Sequence, residues 1–183
     1  MSAHGHHDNH QHHHHNEHHE TVHIRAGILT MSDKGSRGER EDKSGAVIKE
    51  ILGEINAEIP LYEVIPDEME LITEKLNEWK GQVNLILTTG GTGVAPRDVT
   101  PEATRAVLDR ELPGYPEAMR MESLRITPRA MGTRAVAGVA GQCLIVNLPG
   151  SPKAVEECLR VILPVIPHTI DVIQGNVDEC ARK

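Results

Sequence analysis

The sequence predicts an α/β fold, a three-layer α/β/α sandwich around a mostly parallel sheet, and three observations carry that expectation. Short apolar runs alternate with segments whose apolar residues recur at helical spacing. Leu85, Ile86 and Leu87 form the uninterrupted apolar run that a strand covered on both faces requires. No internal repeat of about 20 to 50 residues points to a solenoid.

Ile24 to Met31 reads as the first strand, followed by the polar loop Ser32 to Gly45 and a helix marked by Ala46, Val47, Ile48, Ile51, Leu52 and Ile55. Ile59 to Ile65 reads as the second strand, Pro66-Asp67-Glu68 as a turn, and Glu68 to Lys80 as a helix with Leu71, Ile72, Leu76 and Trp79 on one side. After the third strand, Gly90, Gly91 and Gly93 let the backbone bend and expose its N–H groups. Thr100 and Pro101 then read as N-cap and first residue of a helix reaching about Arg110. A helix from Pro116 to Leu124 precedes two adjacent strands, Arg134 to Val139 and Gln142 to Leu148. Gly138 and Gly141 bracket their tight connection, so these two are expected to pair antiparallel. Ser151 and Pro152 start another helix as N-cap and first residue.

Composition narrows the function. Residues 1–23 hold eleven of the twelve histidines and almost no apolar side chains, so they are expected to form a disordered tail outside the core. Their neutral imidazoles suit Ni²⁺, Zn²⁺ or Cu²⁺; a solvated extension without consequence is the alternative. The remaining 160 residues, 24–183, suffice for one domain that buries about 70% of its unfolded surface. Setting aside Asp8, Glu17 and Glu20 of the tail, the domain has 19 basic residues against 27 − 3 = 24 acidic ones. That balance argues against a nucleic-acid partner, as do the absence of Phe and the presence of only two Tyr and one Trp. Cys143, Cys158 and Cys180 have no metal-type spacing, and no apolar run approaches a membrane span, so a reducing cytoplasm without membrane attachment is expected. Cys143 and Cys158 read as core residues rather than nucleophiles.

The chemistry-bearing residues follow strand ends. Ser32 and Asp33, Asp67, the Gly90-Gly91-Thr92-Gly93 turn with Asp98, and Pro149-Gly150-Ser151 each come directly after a strand, where open α/β sheets bind ligands. Glycine-rich turns and helix starts suit anions. A carboxylate beside a phosphate is repulsive unless a cation lies between them, so Asp98 points to a magnesium-bridged phosphate. For Asp98, stabilising its own turn is the simpler alternative. Arg97, Arg105, Arg125, Arg129 and Arg134 include candidate phosphate ligands, with Arg97 foremost because it adjoins the loop.

LTTGGTGVAPRDVTPEAT at Leu87 to Thr104, IPDE at Ile65 to Glu68, SDKGS at Ser32 to Ser36, ESLRITPRAM at Glu122 to Met131 and NLPGSPKAVEECL at Asn147 to Leu159 together resemble the molybdenum cofactor biosynthesis family. The match is close to its molybdopterin adenylyltransferases of the MogA and MoaB type and covers Ile24 to about Gln174. The resemblance implies a molybdopterin-binding-like sandwich that transfers AMP from ATP to the molybdopterin phosphate, releasing pyrophosphate. It implies Asp67 and Asp98 as catalytic acids holding Mg²⁺, and Gly90 to Gly93 as a substrate-phosphate loop. Ser32, Asp33, Pro149, Gly150 and Ser151 fall at positions lining the nucleotide and pterin crevice. A homotrimer or higher oligomer and a molybdenum-insertion protein are the implied partners. The alternative is a non-catalytic molybdopterin-binding protein with a metal-chelating tail.

Overall fold

The computed structural model describes residues 22–176; residues 1–21, with most of the histidine-rich segment, and Cys180 lie outside the described residues. One sheet runs through the molecule, formed by β1 (Arg25–Met31), β2 (Glu58–Ile65), β3 (Leu85–Thr89), β4 (Arg110–Glu111), β5 (Ala137–Ala140) and β6 (Cys143–Leu148). Their order is β2-β1-β3-β6-β5-β4. The pairs from β2 to β6 are parallel, whereas β5 runs antiparallel to β6, and β4 to β5. Four strands thus present their carboxyl ends at one rim. Because the chain steps from β1 to β2 on one side and then to β3 on the other, a crevice opens between the β1 and β3 ends.

Seven helices cover the described sheet: α1 (Asp33–Ser36), α2 (Lys43–Gly53), α3 (Met69–Trp79), α4 (Thr100–Arg105), α5 (Gly114–Ile126), α6 (Pro152–Ile162) and α7 (Ile166–Gln174). Strand side chains alternate between two apolar layers, as a sheet buried on both faces demands. On one face Ile28, Leu87 and Val146 meet Ile48 and Leu52 of α2 and Val155 and Leu159 of α6. On the other, Leu29, Ile86 and Ile145 meet Ile72, Leu76 and Trp79 of α3, with Ala103 of α4. Each fully buried Leu or Ile contributes about 1.5–3 kcal/mol. The indole of Trp79 packs close against β1 because Gly27 leaves room: a Cβ there would stand 2.8 Å from Trp79 Cε3. Val22 packs against the first layer, and the His23 carbonyl accepts from Asn84 Nδ2 at 2.8 Å.

Three local expectations need correction. The polar loop after β1 contains one helical turn, α1, because Ser32 Oγ accepts from Gly35 N at 3.0 Å and nucleates it. Thr100 is the first helical residue rather than the N-cap, which is Val99; Thr100 is fully buried and its Oγ1 donates to the Gly90 carbonyl at 2.9 Å. The helix also ends at Arg105, not near Arg110. Beyond it the Asp109 amide donates to the Val139 carbonyl at 2.8 Å, and the chain adds the edge strand β4. Gly138 admits that approach, since a Cβ there would collide with the Arg110 carbonyl and the Leu108 side chain. Among the described residues no helix is long and apolar enough to cross a membrane.

Candidate functional site

Two cavities meet at the carboxyl rim of the sheet. The first, about 580 Å³, is lined by Ser32, Asp33, Asp67, Gly90, Gly91, Asp98 and Gly150, with Lys34, Arg40 and Lys43 alongside. The second, about 520 Å³, is lined by Thr92, Gly93, Pro149, Arg120, Arg129 and the apolar Val94, Met119 and Ala154. Gly91, Asp98 and Gly150 line both, so the glycine turn and one carboxylate form the partition. Of the acids, glycine-turn residues and strand-end residues expected at the site, Ser151 lines neither, its Oγ accepting from Ala154 N at 3.3 Å to cap α6; of the five candidate arginines only Arg129 lines a cavity, and Arg97 does not.

The acids are tied together by the backbone. Asp33 N donates to Asp67 Oδ2 at 3.3 Å and Asp67 N to Asp33 Oδ1 at 3.2 Å, locking the loops after β1 and β2 to each other. Arg97 clasps Asp33 through Nε to Oδ2 at 3.1 Å and Nη2 to Oδ1 at 2.6 Å, which holds the Asp33 carboxyl below the usual range. Asp67 goes the other way. Burial pushes its pKa up first, the Asp33 charge next, and the Asp98 charge adds a smaller push. Asp98 braces its own turn, its Oδ2 accepting from Ala95 N at 2.8 Å, and it also lines both cavities.

The glycine turn is shaped by close approach. Gly90 has φ +96 and lies against the Met31 carbonyl, and Gly91 has φ +63 with a would-be Cβ 3.0 Å from Asp67 Oδ1. At Gly93 a Cβ would stand 2.8 Å from Asp98 Oδ2. Glycine therefore brings the two carboxylates up to bare backbone. Across the rim, Thr89 Oγ1 donates to the Pro149 carbonyl at 2.6 Å and Ser44 Oγ to the Gly150 carbonyl at 2.9 Å.

Two supporting residues are not recognisable from sequence. Arg134, one of the candidate phosphate ligands, is engaged behind the loop: Nε donates to the Gly93 carbonyl at 2.6 Å, Nη2 to the Asp98 carbonyl at 2.5 Å, and Nη1 pairs with Glu102. Asn147, fully buried, donates Nδ2 to Thr88 Oγ1 and Thr104 Oγ1, both at 2.9 Å, and accepts from Val136 N at 3.2 Å. It joins β3, α4 and the approach to β5 just beneath the turn. The only signal for either is a polar residue next to an apolar run. Arg105 and Arg125 pair with Glu111 and Glu122 on the surface. Cys143 and Cys158 are buried, and burial raises both thiols, Cys143 to about 12. That fits the core role expected for them.

The family model described as "Probable molybdopterin binding domain" matches residues 27–168. A molybdopterin adenylyltransferase of Helicobacter pylori (strain J99) is 46% identical over 168 residues, which span 90% of this chain and 94% of that protein. That of Escherichia coli (strain K12) is 39% identical over 176 residues, 86% of this chain and 89% of the other. The crystal structure of the molybdopterin biosynthesis enzyme MoaB from Thermus thermophilus superimposes with a TM-score of 0.79 at 52% identity, covering 83% of this chain and 97% of that one. With a matching domain model over most of its length and such relatives across nearly their full lengths, the chain belongs to the molybdopterin-binding domain family of molybdenum cofactor biosynthesis.

Proposed function

We propose that the chain is a molybdopterin adenylyltransferase: an oxygen of the molybdopterin phosphate attacks the α-phosphorus of ATP, a new P–O bond forms, and pyrophosphate leaves with the electrons of the broken bond. The meeting of two cavities at Gly91, Asp98 and Gly150 carries this reading, since two substrates on either side would place their phosphates at one partition. The first cavity, with five carboxylates, Asp33, Glu41, Asp42, Asp67 and Asp98, and the cations Lys34, Arg40 and Lys43, suits a triphosphate that arrives with its own cation. The second, with apolar walls and Arg120 and Arg129, suits a flat ring system bearing one phosphate.

Magnesium fits this donor set. Asp67 and Asp98 offer only hard oxygen, and the repulsion that raises Asp67 is what a bridging cation relieves. Among the described residues no three or more His, Cys, Asp or Glu side chains close on one point. Such an ion would take one or two carboxylates here and its remaining ligands from phosphates and water, the usual arrangement for magnesium with nucleotides. When bound it neutralises charge on the phosphates being brought together and on the departing pyrophosphate. The protein's share is placement. Gly90 to Gly93 bring backbone amides to the partition, and Arg134 holds that loop from behind. No general base is needed, because a phosphate is already ionised at neutral pH.

Mixing the purified chain with molybdopterin, ATP and Mg²⁺ should yield adenylylated molybdopterin and one pyrophosphate per turnover. Binding of molybdopterin without product would favour the binding-only alternative. We further propose a cytoplasmic homo-oligomer that passes its product to a metal-insertion step. Met121, Ile126 and Met131, 64%, 50% and 72% exposed on α5 and the turn after it, support association. Sedimentation equilibrium should give three or more times the 20.1 kDa chain mass; a monomer at micromolar concentration would refute this.

A further inference from the structure

Arg97 forms an ion pair with Asp33, which lines the first cavity, 2.6 Å between Nη2 and Oδ1, with 58% and 36% of their side chains exposed. Asp33 follows β1 and Arg97 belongs to the loop after β3, so the pair spans the crevice itself. An exposed pair of this kind contributes little to stability. Its position is more telling. Asp33 exchanges backbone hydrogen bonds with Asp67, and Asp67 and Asp98 face the same cavity. Among the described residues, Arg97 is the cation in contact with one of these three carboxylates.

We propose that Arg97 is a phosphate ligand of the nucleotide that exchanges partners: it neutralises Asp33 in the free site and turns to the outer phosphates when ATP arrives, remaining as counter-ion to pyrophosphate. The inference rests on the adenylyl-transfer reading. A guanidinium fork grips phosphate with the same two-point geometry it uses on carboxylate, and phosphate offers more charge. The cation that accompanies ATP restores to the carboxylate cluster the positive charge that Arg97 withdraws, so the exchange meets little opposition.

A double-mutant cycle on inorganic pyrophosphate binding, measured by titration calorimetry in EDTA with the full chain, tests the exchange. The variants are Arg97→Gln, Asp33→Asn and the pair together; both side chains are exposed, and Asn at 33 keeps the oxygen that accepts from Asp67 N. Arg97→Gln should weaken binding about tenfold, the scale of one charge-assisted contact. Asp33→Asn should tighten it several-fold by removing the competing partner, and most of that gain should vanish when Arg97 is also replaced. Unchanged binding by Arg97→Gln overturns the proposal. So does an Asp33→Asn gain that persists undiminished in the double variant, because lost negative charge alone then explains it. Lack of pyrophosphate binding by the parent and Asp33→Asn alike overturns it too. Adenylyl transfer is scored separately: product with an additive cycle removes only the exchange, whereas a coupled cycle without product removes only the reaction.

Discussion

Replacing Asp67 with Asn is expected to lower kcat roughly 100- to 1000-fold, the loss typical when one preorganised electrostatic contact to a transition state is removed, with the KM for ATP changed only slightly. The carboxylate stands beside the bare backbone of Gly91, which lines both cavities, and in the proposed reaction charge has to be neutralised there as two phosphates approach. Binding uses many other contacts, so the deficit should fall on turnover. The same substitution should raise thermal stability. The folded-state pKa of Asp67 lies above its ordinary value, through burial and the Asp33 charge, so the folded chain holds this proton more tightly than the unfolded chain. The contribution of Asp67 to stability is then greatest below the unfolded value of about 4 and is lost as pH rises from there through the folded pKa. At neutral pH the ionised group opposes folding, and Asn relieves it while still offering an oxygen to Asp33 N. Melting curves in EDTA should show the variant's advantage at pH 7 and its loss near pH 3 (roughly one unit below the unfolded value). An active variant, or one that melts lower at pH 7, would refute the account of Asp67.

Much of this site is legible in the sequence because its residues obey local rules. The central parallel strands β1, β3 and β6 are written as apolar runs and the edge strand β2 as a half-buried alternation, and the residues just after each must lie at one rim. That places Asp33, Asp67, Asp98 and Pro149 in the same crevice without knowledge of any contact. The Ser151 cap of α6 is readable for the same reason, since Ser-Pro before an amphipathic segment has few other uses. Thr100-Pro101 has the same appearance and misleads: Thr100 is drawn inward by a carbonyl ten residues back, and tertiary contact overrides the local preference. Arg134 and Asn147 are illegible in a stronger sense. Nothing adjacent in sequence specifies their partners, at Gly93, Asp98 and Glu102 for one and at Thr88, Thr104 and Val136 for the other. The edge strand β4 is two residues long and carries too short a pattern to detect. What sequence pattern conveys is which residues reach the rim; which of them support the others is a property of packing.

Gly90→Ala should cost the protein both stability and turnover. Two penalties coincide at this position. The backbone sits at φ +96, outside the regions that L side chains readily adopt, and an added Cβ would overlap the Met31 carbonyl oxygen, which belongs to β1 and cannot rotate away. The conformational strain costs about 1–2 kcal/mol and displacement of packed backbone about 1–3 kcal/mol, so the urea midpoint should drop by an amount equivalent to about 2–5 kcal/mol with little change in slope. Gly150 packs on Gly90, a Cβ at 150 standing 3.4 Å from its Cα, so any shift also reaches the second glycine turn. Misplacement of a phosphate site by about 1 Å lowers rates on the order of 100-fold, and the surviving folded fraction should be correspondingly slow. Gly38→Ala is the internal control: φ is +73 there, but nothing lies within 4 Å of the added carbon. It should bear the strain alone and keep full turnover. If the two variants lose equal stability, or if Gly90→Ala retains normal kcat, then close approach to the Met31 carbonyl is not what shapes the glycine turn.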